Sequence, residues 1–209
     1  MQYDDFYGAI LPVMKSVEAH LAQLPEQYSR ECAHSININP VAYSSTRIKT
    51  PDSMIRKLKL RKIPVSLENA MNCMYDAIGL RIVCSFVDDV YAVSEWLKER
   101  PELNIVQEKD YIAFPKPNGY RSLHLLIEIA EGPGAGLHAE IQLRTIAIDF
   151  WATLEHQLKY KQEIDHEELI RTVLKRCADE IASIDLSMQT IRDLISMQWT
   201  DLSETKSNQ

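Results

Sequence analysis

Residues 122–144 read SLHLLIEIAEGPGAGLHAEIQLR, two runs of alternating apolar and polar residues on either side of a glycine-rich turn. In the first run Leu123, Leu125, Ile127 and Ile129 share one face, with Ser122, His124, Leu126 and Glu128 opposite. In the second, Leu137, Ala139, Ile141 and Leu143 face one way and His138, Glu140, Gln142 and Arg144 the other. Alternation of period two predicts a strand with one buried face. The intervening EGPGAG, 131–136, holds three of the six glycines and predicts a loose hairpin connection rather than a phosphate cradle. An antiparallel sheet can leave one face wet. Such a face ordinarily carries Thr, Lys and Glu in no order. This one gathers groups that suit a phosphate-rich, metal-bound substrate.

The neighbouring segments repeat the organisation. Residues 77–86, AIGLRIVCSF, put Ile78, Leu80, Ile82, Cys84 and Phe86 opposite Gly79, Arg81, Val83 and Ser85, with Asp76 just before. Residues 103–112 predict another strand, and 89–100 a short amphipathic helix between the two. Ahead of the hairpin lies FPKPNGYRSLH, 114–124, an ordered loop feeding a strand. It offers a charge on Lys116, hydrogen bonds from Asn118 and Arg121, the flat ring of Tyr120 and the imidazole of His124. Its Asn-Gly pair allows the left-handed backbone that would turn Tyr120 toward a ligand.

Further upstream, residues 45–49 read as extended, which puts Arg47 and Lys49 on one face. Thr50-Pro51 is a helix start, with Thr50 as the cap and Pro51 at the first helical position. Ser53 and Lys57, four apart, lie on one face of that helix. Arg47, Lys49, the helix N-terminus, Ser53 and Lys57 can therefore converge on one set of phosphates. No GxxxxGK[ST] loop occurs in the sequence, so the phosphate site is of another kind.

At the ends of the chain, residues 3–31 predict a long helix, with Tyr3, Phe6, Ile10, Val13, Val17, Leu21 and Leu24 along one stripe. Pro12 and Pro25 mark where it kinks, starts or stops. Residues 35–41 suggest a short extended segment. Thr145 should cap a helix over 146–161 that packs Phe150, Leu154 and Leu158 on the core, with Glu155 and Lys159 as a surface pair and His156 on the helix surface. Over 166–198, Ile170, Leu174, Cys177, Ile181, Ile184, Met188, Ile191 and Ile195 recur every 3.5 residues on average, the period of a helix lying along another, within one subunit or across two. The tail, 201–209, is polar and expected to fray.

At 209 residues, 45% hydrophobic and 25% charged, the chain has the composition of a soluble globular protein with one core. It has no apolar run of membrane-spanning length and no basic-then-apolar leader, so a cytoplasmic protein without a membrane partner is expected. Cys32, Cys73, Cys84 and Cys177 are scattered, with no CxxC pair, which argues against a zinc site or disulfides and for buried thiols in a reducing compartment. Residues 47–62 carry seven basic side chains against Asp52, a local charge of +6. With −7 for the whole chain, the remainder carries −13. Such a body is poorly suited to tracking long nucleic acid, and no DNA partner is expected; a compact polyphosphate held in one place suits it better.

Five segments in this order resemble the synthetase domain of the RelA/SpoT family, specifically its stand-alone small alarmone synthetases. They are Arg47-x-Lys49-x3-Ser53-x3-Lys57, YDAIGLRI with Asp76 and Arg81, DYIAFPKPNGYRSLH, AEIQLRT with Glu140, and DFWATLEHQLKYK. Thr46 departs from the pattern, standing where a glycine often precedes the arginine. The resemblance implies an α+β fold, a mixed, mostly antiparallel sheet flanked by helices with long N- and C-terminal helices. The implied division is 1–33 as an N-terminal helical extension, 34–162 as the synthetase domain and 163–209 as a C-terminal helix and tail, all in one compact unit.

The implied activity is Mg²⁺-dependent transfer of the β,γ-pyrophosphoryl group of ATP to the ribose 3′-hydroxyl of GDP, GTP or GMP, giving AMP and a (p)ppGpp alarmone, without hydrolase activity. In that scheme Arg47 and Arg81 sandwich adenine, while Lys49, Ser53 and Lys57 hold the ATP phosphates. Asp76 and Glu140 bind the metal, and Glu140 is also the expected general base. Tyr120 stacks on guanine, Lys116, Asn118 and His124 orient the acceptor, and Gln142 and Arg144 support them. Family members of this size are commonly homotetramers, and regulation by an alarmone or single-stranded RNA stays open. Two alternatives remain at this point: a toxic relative that modifies adenine nucleotides or tRNA 3′ ends, and a non-catalytic nucleotide- or RNA-binding sensor.

Overall fold

Strand alternation and helix caps lead into the architecture seen in a computed structural model, which describes residues 2–32, 38–160 and 167–207. Five strands, β1 (Val41–Ile48), β2 (Ile78–Cys84), β3 (Leu103–Asp110), β4 (Leu123–Ile129) and β5 (His138–Thr145), form one sheet in the order β1-β2-β5-β4-β3. Every neighbouring pair is antiparallel except β2 and β5, which run parallel. The expected mixed, mostly antiparallel sheet is the one observed. A bulge between Ile105 and Gln107 interrupts the β3–β4 register.

The apolar faces behave as the alternation dictates. Ile78, Leu80, Ile82, Leu123, Leu125, Ile127, Ala139, Ile141 and Leu143 are buried in one core. That core is covered by helices α2 (Leu11–Leu21) and α6 (Val87–Lys98). Helix α6 begins two residues earlier than its apolar pattern suggests, because the Asp89 carboxylate accepts the Phe86 N–H at 3.1 Å and caps the first turn. Between β1 and β2 lie α4 (Pro51–Leu60) and the short α5 (Leu67–Cys73), the latter started by Ser66, which accepts the Asn69 N–H at 3.1 Å.

The N-terminal helix is not continuous. It is divided into α1 (Tyr3–Tyr7), a 3₁₀ turn (Gly8–Ile10), α2 and α3 (Leu24–Glu31). Gly8 takes φ +51°, and Pro12 and Pro25 stand in the first turns of α2 and α3, where a missing N–H costs nothing. These breaks move the buried stripe to Tyr7, Leu11, Met14, Val17 and Leu21. Of residues 35–41, positions 35–37 lie outside the described residues, and Val41 opens β1.

After β5, α7 (Ile146–Tyr160) starts at Thr145, whose Oγ1 accepts the Ile148 N–H at 3.1 Å. The face it buries differs from expectation. Phe150, Leu154 and Leu158 are exposed, while Ile148, Trp151 and Ala152 turn inward and Glu155 is buried with them. The indole decides this. Trp151 is the largest side chain of the turn, and its Nε1 donates to the Leu174 carbonyl at 2.9 Å, a bond no other face could make. Helix α8 (Glu167–Ser207) runs along α7 through Leu174, Cys177, Ala178 and Ile181, forming a second, small core with Tyr120. Farther along, Ile184, Met188, Ile191 and Ile195 of the expected stripe are exposed. Lys159 and its expected pairing lie among side chains outside the described set; Glu155 accepts a hydrogen bond from Asn118.

Candidate active site

Sheet register aligns the polar side chains into rows. Arg47 pairs with Gly79, Gly79 with Glu140, and Glu140 with Leu126. One row on, Ser45, Arg81, Gln142 and His124 stand side by side. Paired residues in neighbouring strands point to the same face. The face left open by the helical core therefore carries Arg47, Arg81, His124, Glu140 and Gln142 together. The Arg47 stem crosses directly over Gly79: a Cβ there would stand 3.8 Å from the Arg47 Cγ, at ordinary van der Waals contact.

At the β1 end, Lys49 extends the ladder by donating its N–H to the Ala77 carbonyl at 2.8 Å, while its own carbonyl accepts the Tyr7 hydroxyl at 2.7 Å. Thr50 caps α4 as expected, receiving the Ser53 N–H at 3.4 Å, with the two hydroxyls 2.9 Å apart. Lys57, one turn on, donates to Asp76 Oδ2 at 2.6 Å, and Lys49 Nζ donates to the same oxygen. Burial is the largest influence on Asp76 and pushes its carboxyl up, but the two ammonium groups outweigh it and hold the acid below the usual range. Burial, with Lys57 and Arg47 nearby, draws the Lys49 ammonium down, and Asp76 offsets part of that. Asp76 Oδ1 is buried and has no partner among the described protein atoms.

The hairpin side closes into a ring of hydrogen bonds. Glu140 Oε1 lies 3.1 Å from His124 Nδ1, and His124 Nε2 lies 2.8 Å from the Tyr120 hydroxyl. That hydroxyl accepts from Arg144 Nη2 at 2.8 Å, the same nitrogen donates to Gln142 Oε1 at 3.0 Å, and Gln142 Nε2 returns to Glu140 Oε2 at 2.7 Å. Burial again acts first on Glu140 and pushes it up, but His124 and Gln142 hold it below the ordinary glutamate range. Asp76 and Glu140 line the same two clefts, and the negative charge of Asp76 is felt at Glu140.

The loop before β4 is held from behind. Asn118 donates to Glu155 at 3.0 Å and accepts the Tyr120 N–H at 3.3 Å, so both ends of its amide are in use. Gly119 takes φ +88°, and a Cβ there would come within 2.7 Å of Ala178 and 3.2 Å of the Lys175 backbone; only glycine permits both the turn and the approach of α8. Arg121 donates to the Gly119 and Ala178 carbonyls at 3.1 and 3.3 Å and pairs with Asp179 at 2.9 Å. Lys116 places its ammonium over the rings of Tyr111 and Tyr120, 4.4 and 4.7 Å from their centroids.

The structure thus brings Arg47, Lys49, Ser53, Lys57, Asp76, Arg81, Glu140 and Gln142 around one cleft system, with His124 reaching it from β4. Asn118 and Arg144 stand behind that rim as supports, and Arg144 is almost fully buried. Thr46 is an ordinary strand residue opposite Leu80. Sequence reading missed Asp149, which is buried, accepts from Arg144 Nη1 at 2.9 Å and from the Tyr43 hydroxyl at 3.0 Å, and forms an ion pair with Arg81 Nη1 at 3.3 Å. It also missed Tyr7, behind Lys49. The signal for Asp149 was an acid in the first turn of an otherwise apolar helix start; Tyr7 lay outside the expected apolar stripe and carried no signal.

Among the described residues no three His, Cys, Asp or Glu side chains gather into a metal-binding group. The donor set still fits Mg²⁺, which takes one or two carboxylates and completes its shell with phosphate and water oxygens. Asp76 Oδ1 is the unpartnered buried oxygen such an ion would need, with Glu140 as the second carboxylate.

Residues 46–165 match the region found in RelA / SpoT proteins. GTP pyrophosphokinase YwaC of Bacillus subtilis is 40% identical over 157 residues, covering 74% of this chain and 75% of its own. GTP pyrophosphokinase YjbM of the same organism is 33% identical over 194 residues, covering 91% and 89%. Among solved structures, small alarmone synthetase 1 from Bacillus subtilis bound to its product pppGpp superposes with a TM-score of 0.77 at 32% identity, over 93% of this chain and 98% of that one. Small alarmone synthetase 2 from Bacillus subtilis gives 0.76 at 38% identity, over 88% and 96%.

Proposed function

Because the chain belongs to the RelA/SpoT family, we propose that it is a GTP pyrophosphokinase, transferring the β,γ-pyrophosphoryl group of ATP to the ribose 3′-hydroxyl of GDP or GTP, and of GMP where it is offered. The observation that carries this reading is the convergence of Asp76 and Glu140 on one cleft, between two lysines on one side and the His124–Tyr120–Arg144 ring on the other. In the reaction the acceptor 3′-oxygen attacks the β-phosphorus of ATP. The bond from that phosphorus to the α,β-bridging oxygen breaks, AMP leaves, and the hydroxyl proton passes to Glu140. Glu140 is ionised at neutral pH, and because its pKa lies below the ordinary glutamate range it takes that proton as the new P–O bond forms rather than beforehand.

Arg47 and Arg81, on adjacent strands of the same face, take adenine between their guanidinium planes. Lys49, Ser53 and Lys57, with the N-terminus of α4, hold the phosphates and neutralise charge that builds during transfer. Mg²⁺ held by Asp76 and Glu140 supplies Lewis-acid polarisation of the phosphoryl oxygens. Tyr120 presents a ring to guanine once Lys116, which covers it, turns to the acceptor phosphates. His124 orients Glu140, and Asn118, Gln142 and Arg144 fix the loop and ring behind it. A homotetramer formed through the exposed apolar residues of α8, in the cytoplasm, completes the reading; a monomer by light scattering at micromolar concentration would count against that assembly. Among the described residues no helix is long and apolar enough to cross a membrane.

The test offers γ-labelled ATP and Mg²⁺ with GMP, GDP, GTP, ATP or tRNA separately, using Glu140→Gln as control. Label on a guanosine nucleotide, absent in the control, is the expected result. Label confined to tRNA or an adenine nucleotide would replace this reading with the toxin activity, and no transfer at all would leave a binding protein.

A further inference from the structure

Asp149 links an arginine on the donor side of this cleft to one on the acceptor side. Its carboxylate is buried in the first turn of α7. Oδ1 receives Arg81 on β2 and Arg144 on β5, and Oδ2 accepts the Tyr43 hydroxyl on β1, so a single side chain fixes three strands against one helix. On the donor side Arg81 is an adenine contact in the proposed reaction. On the acceptor side Arg144 donates to the Tyr120 hydroxyl and to Gln142, and Gln142 donates to Glu140. Glu140 is therefore connected to Asp149 through two side chains, and Arg81 through none.

We propose that Asp149 is a positioning residue that sets the adenine-binding arginine and the acceptor-side ring in a common geometry. The claim rests on the synthetase reading and deepens it. Two guanidinium groups drawn together out of water repel one another, and burial with the Arg144 charge works against ionised Arg81. A carboxylate whose Oδ1 is shared between them offsets that repulsion, fixing the direction of Arg144 through a hydrogen bond and drawing Arg81 to the same oxygen by charge. An acid at this point also sits favourably in the positive end of α7. Asn could keep its Oδ1 toward the two arginines and donate its N–H₂ to the Tyr43 hydroxyl, so what it would lose is the negative charge that offsets the two guanidinium groups. Because the two arginines lead to different substrates, the role has a signature: one change should disturb both substrates, whereas changes at Arg81 or Tyr120 should each disturb one.

The experiment measures KM for ATP and for GDP, each with the other saturating, in the full chain carrying Asp149→Asn, Asp149→Glu, Arg81→Met or Tyr120→Phe. Asp149→Asn is expected to raise both KM values about tenfold and to lower kcat, Arg81→Met to raise KM for ATP alone, and Tyr120→Phe to raise KM for GDP alone. Asp149→Glu keeps the charge but moves the fork by one methylene; it should melt like the wild type yet raise both KM values about threefold, which a role in folding alone would not produce. Both KM values within twofold of wild type in a folded Asp149→Glu protein would overturn the proposal. Calorimetry with an ATP analogue that cannot be cleaved between its α- and β-phosphates separates the two ideas. If the wild type transfers nothing, the synthetase reading fails, and equal affinity of wild type and Asp149→Glu for the analogue would then overturn the positioning role as well.

Discussion

Two ends of one cleft meet their charges differently. At the donor end Lys49 and Lys57 share a single oxygen of Asp76, leaving Oδ1 bare and positive charge in excess, with Arg47 standing exposed beside them. At the acceptor end Glu140, His124, Tyr120, Arg144 and Gln142 satisfy one another in a closed ring. In the proposed reaction the donor end would be completed by a polyanion and its metal, so binding there would add interactions. The acceptor end gives up internal hydrogen bonds for substrate bonds, and its net gain per bond is small. Affinity should therefore come mainly from the donor, and discrimination and chemistry from the acceptor.

The strongest way to break this contrast is Glu140→Gln, which preserves the ring's shape and removes its base. The expected loss in kcat is about 10³-fold, with KM for ATP little changed, read by AMP release. A KM effect without a kcat effect would assign Glu140 to binding. Next, Lys57→Ala should cut kcat/KM about 100-fold, the scale of a lost charge-assisted hydrogen bond to phosphate, and its effect should appear with any acceptor. Tyr120→Phe keeps the ring but loses the hydroxyl that joins His124 to Arg144; about a fivefold to tenfold loss in kcat/KM for the acceptor is expected, since the Arg144 nitrogen freed by the change keeps its bond to Gln142.

A smaller effect contrasts the site with the seam behind it. Asp76 and Glu140 have depressed native pKa values, so they contribute stability above the ordinary carboxylate range, lost as pH falls through their native values. Asp185 on α8 runs the other way. Burial raises its pKa, although the Thr145 hydroxyl at 2.6 Å pulls in the opposite direction. The folded state thus binds its proton more tightly, and stability is lost as pH rises from the ordinary aspartate value through the raised one. Asp185→Asn should stabilise the protein by about 1 kcal/mol at pH 7, shifting the melting temperature by about 2–4 °C, with the gain vanishing below the ordinary aspartate pKa. Melting curves at both ends of that pH range check it; equal gains at both ends would point to a cause other than ionisation.

Much of the site could be read along the chain because its parts are local. Alternation placed Arg81, His124, Glu140 and Gln142 opposite the core, and Thr50-Pro51 announced the start of α4 beneath Lys49. The roles of Arg144 and Asn118 were less legible, since whether a polar residue meets substrate or supports another depends on what packs behind it. Arg144 follows the same alternation as Glu140 and Gln142 yet is buried, because α7 brings Asp149 up against it. Likewise Phe150, Leu154 and Leu158 make as plausible an apolar stripe as Ile148, Trp151 and Ala152 until α8 offers the Leu174 carbonyl to the indole.

By itself the sequence determined the strands β2 to β5, the end of β1, which strand faces are apolar, where α4 begins and that a basic segment faces an acidic remainder; each follows from neighbours within a few positions, where backbone sterics and side-chain period act. Tertiary structure decided the rest. It brought Tyr7 behind Lys49, chose the buried side of α7, closed the ring around Glu140 and brought Tyr43 to Asp149 across 106 positions of chain. Those outcomes depend on the parallel pairing of β2 with β5 and on α8 docking against Gly119 and Trp151, and a contact between distant segments leaves no periodic trace in either of them.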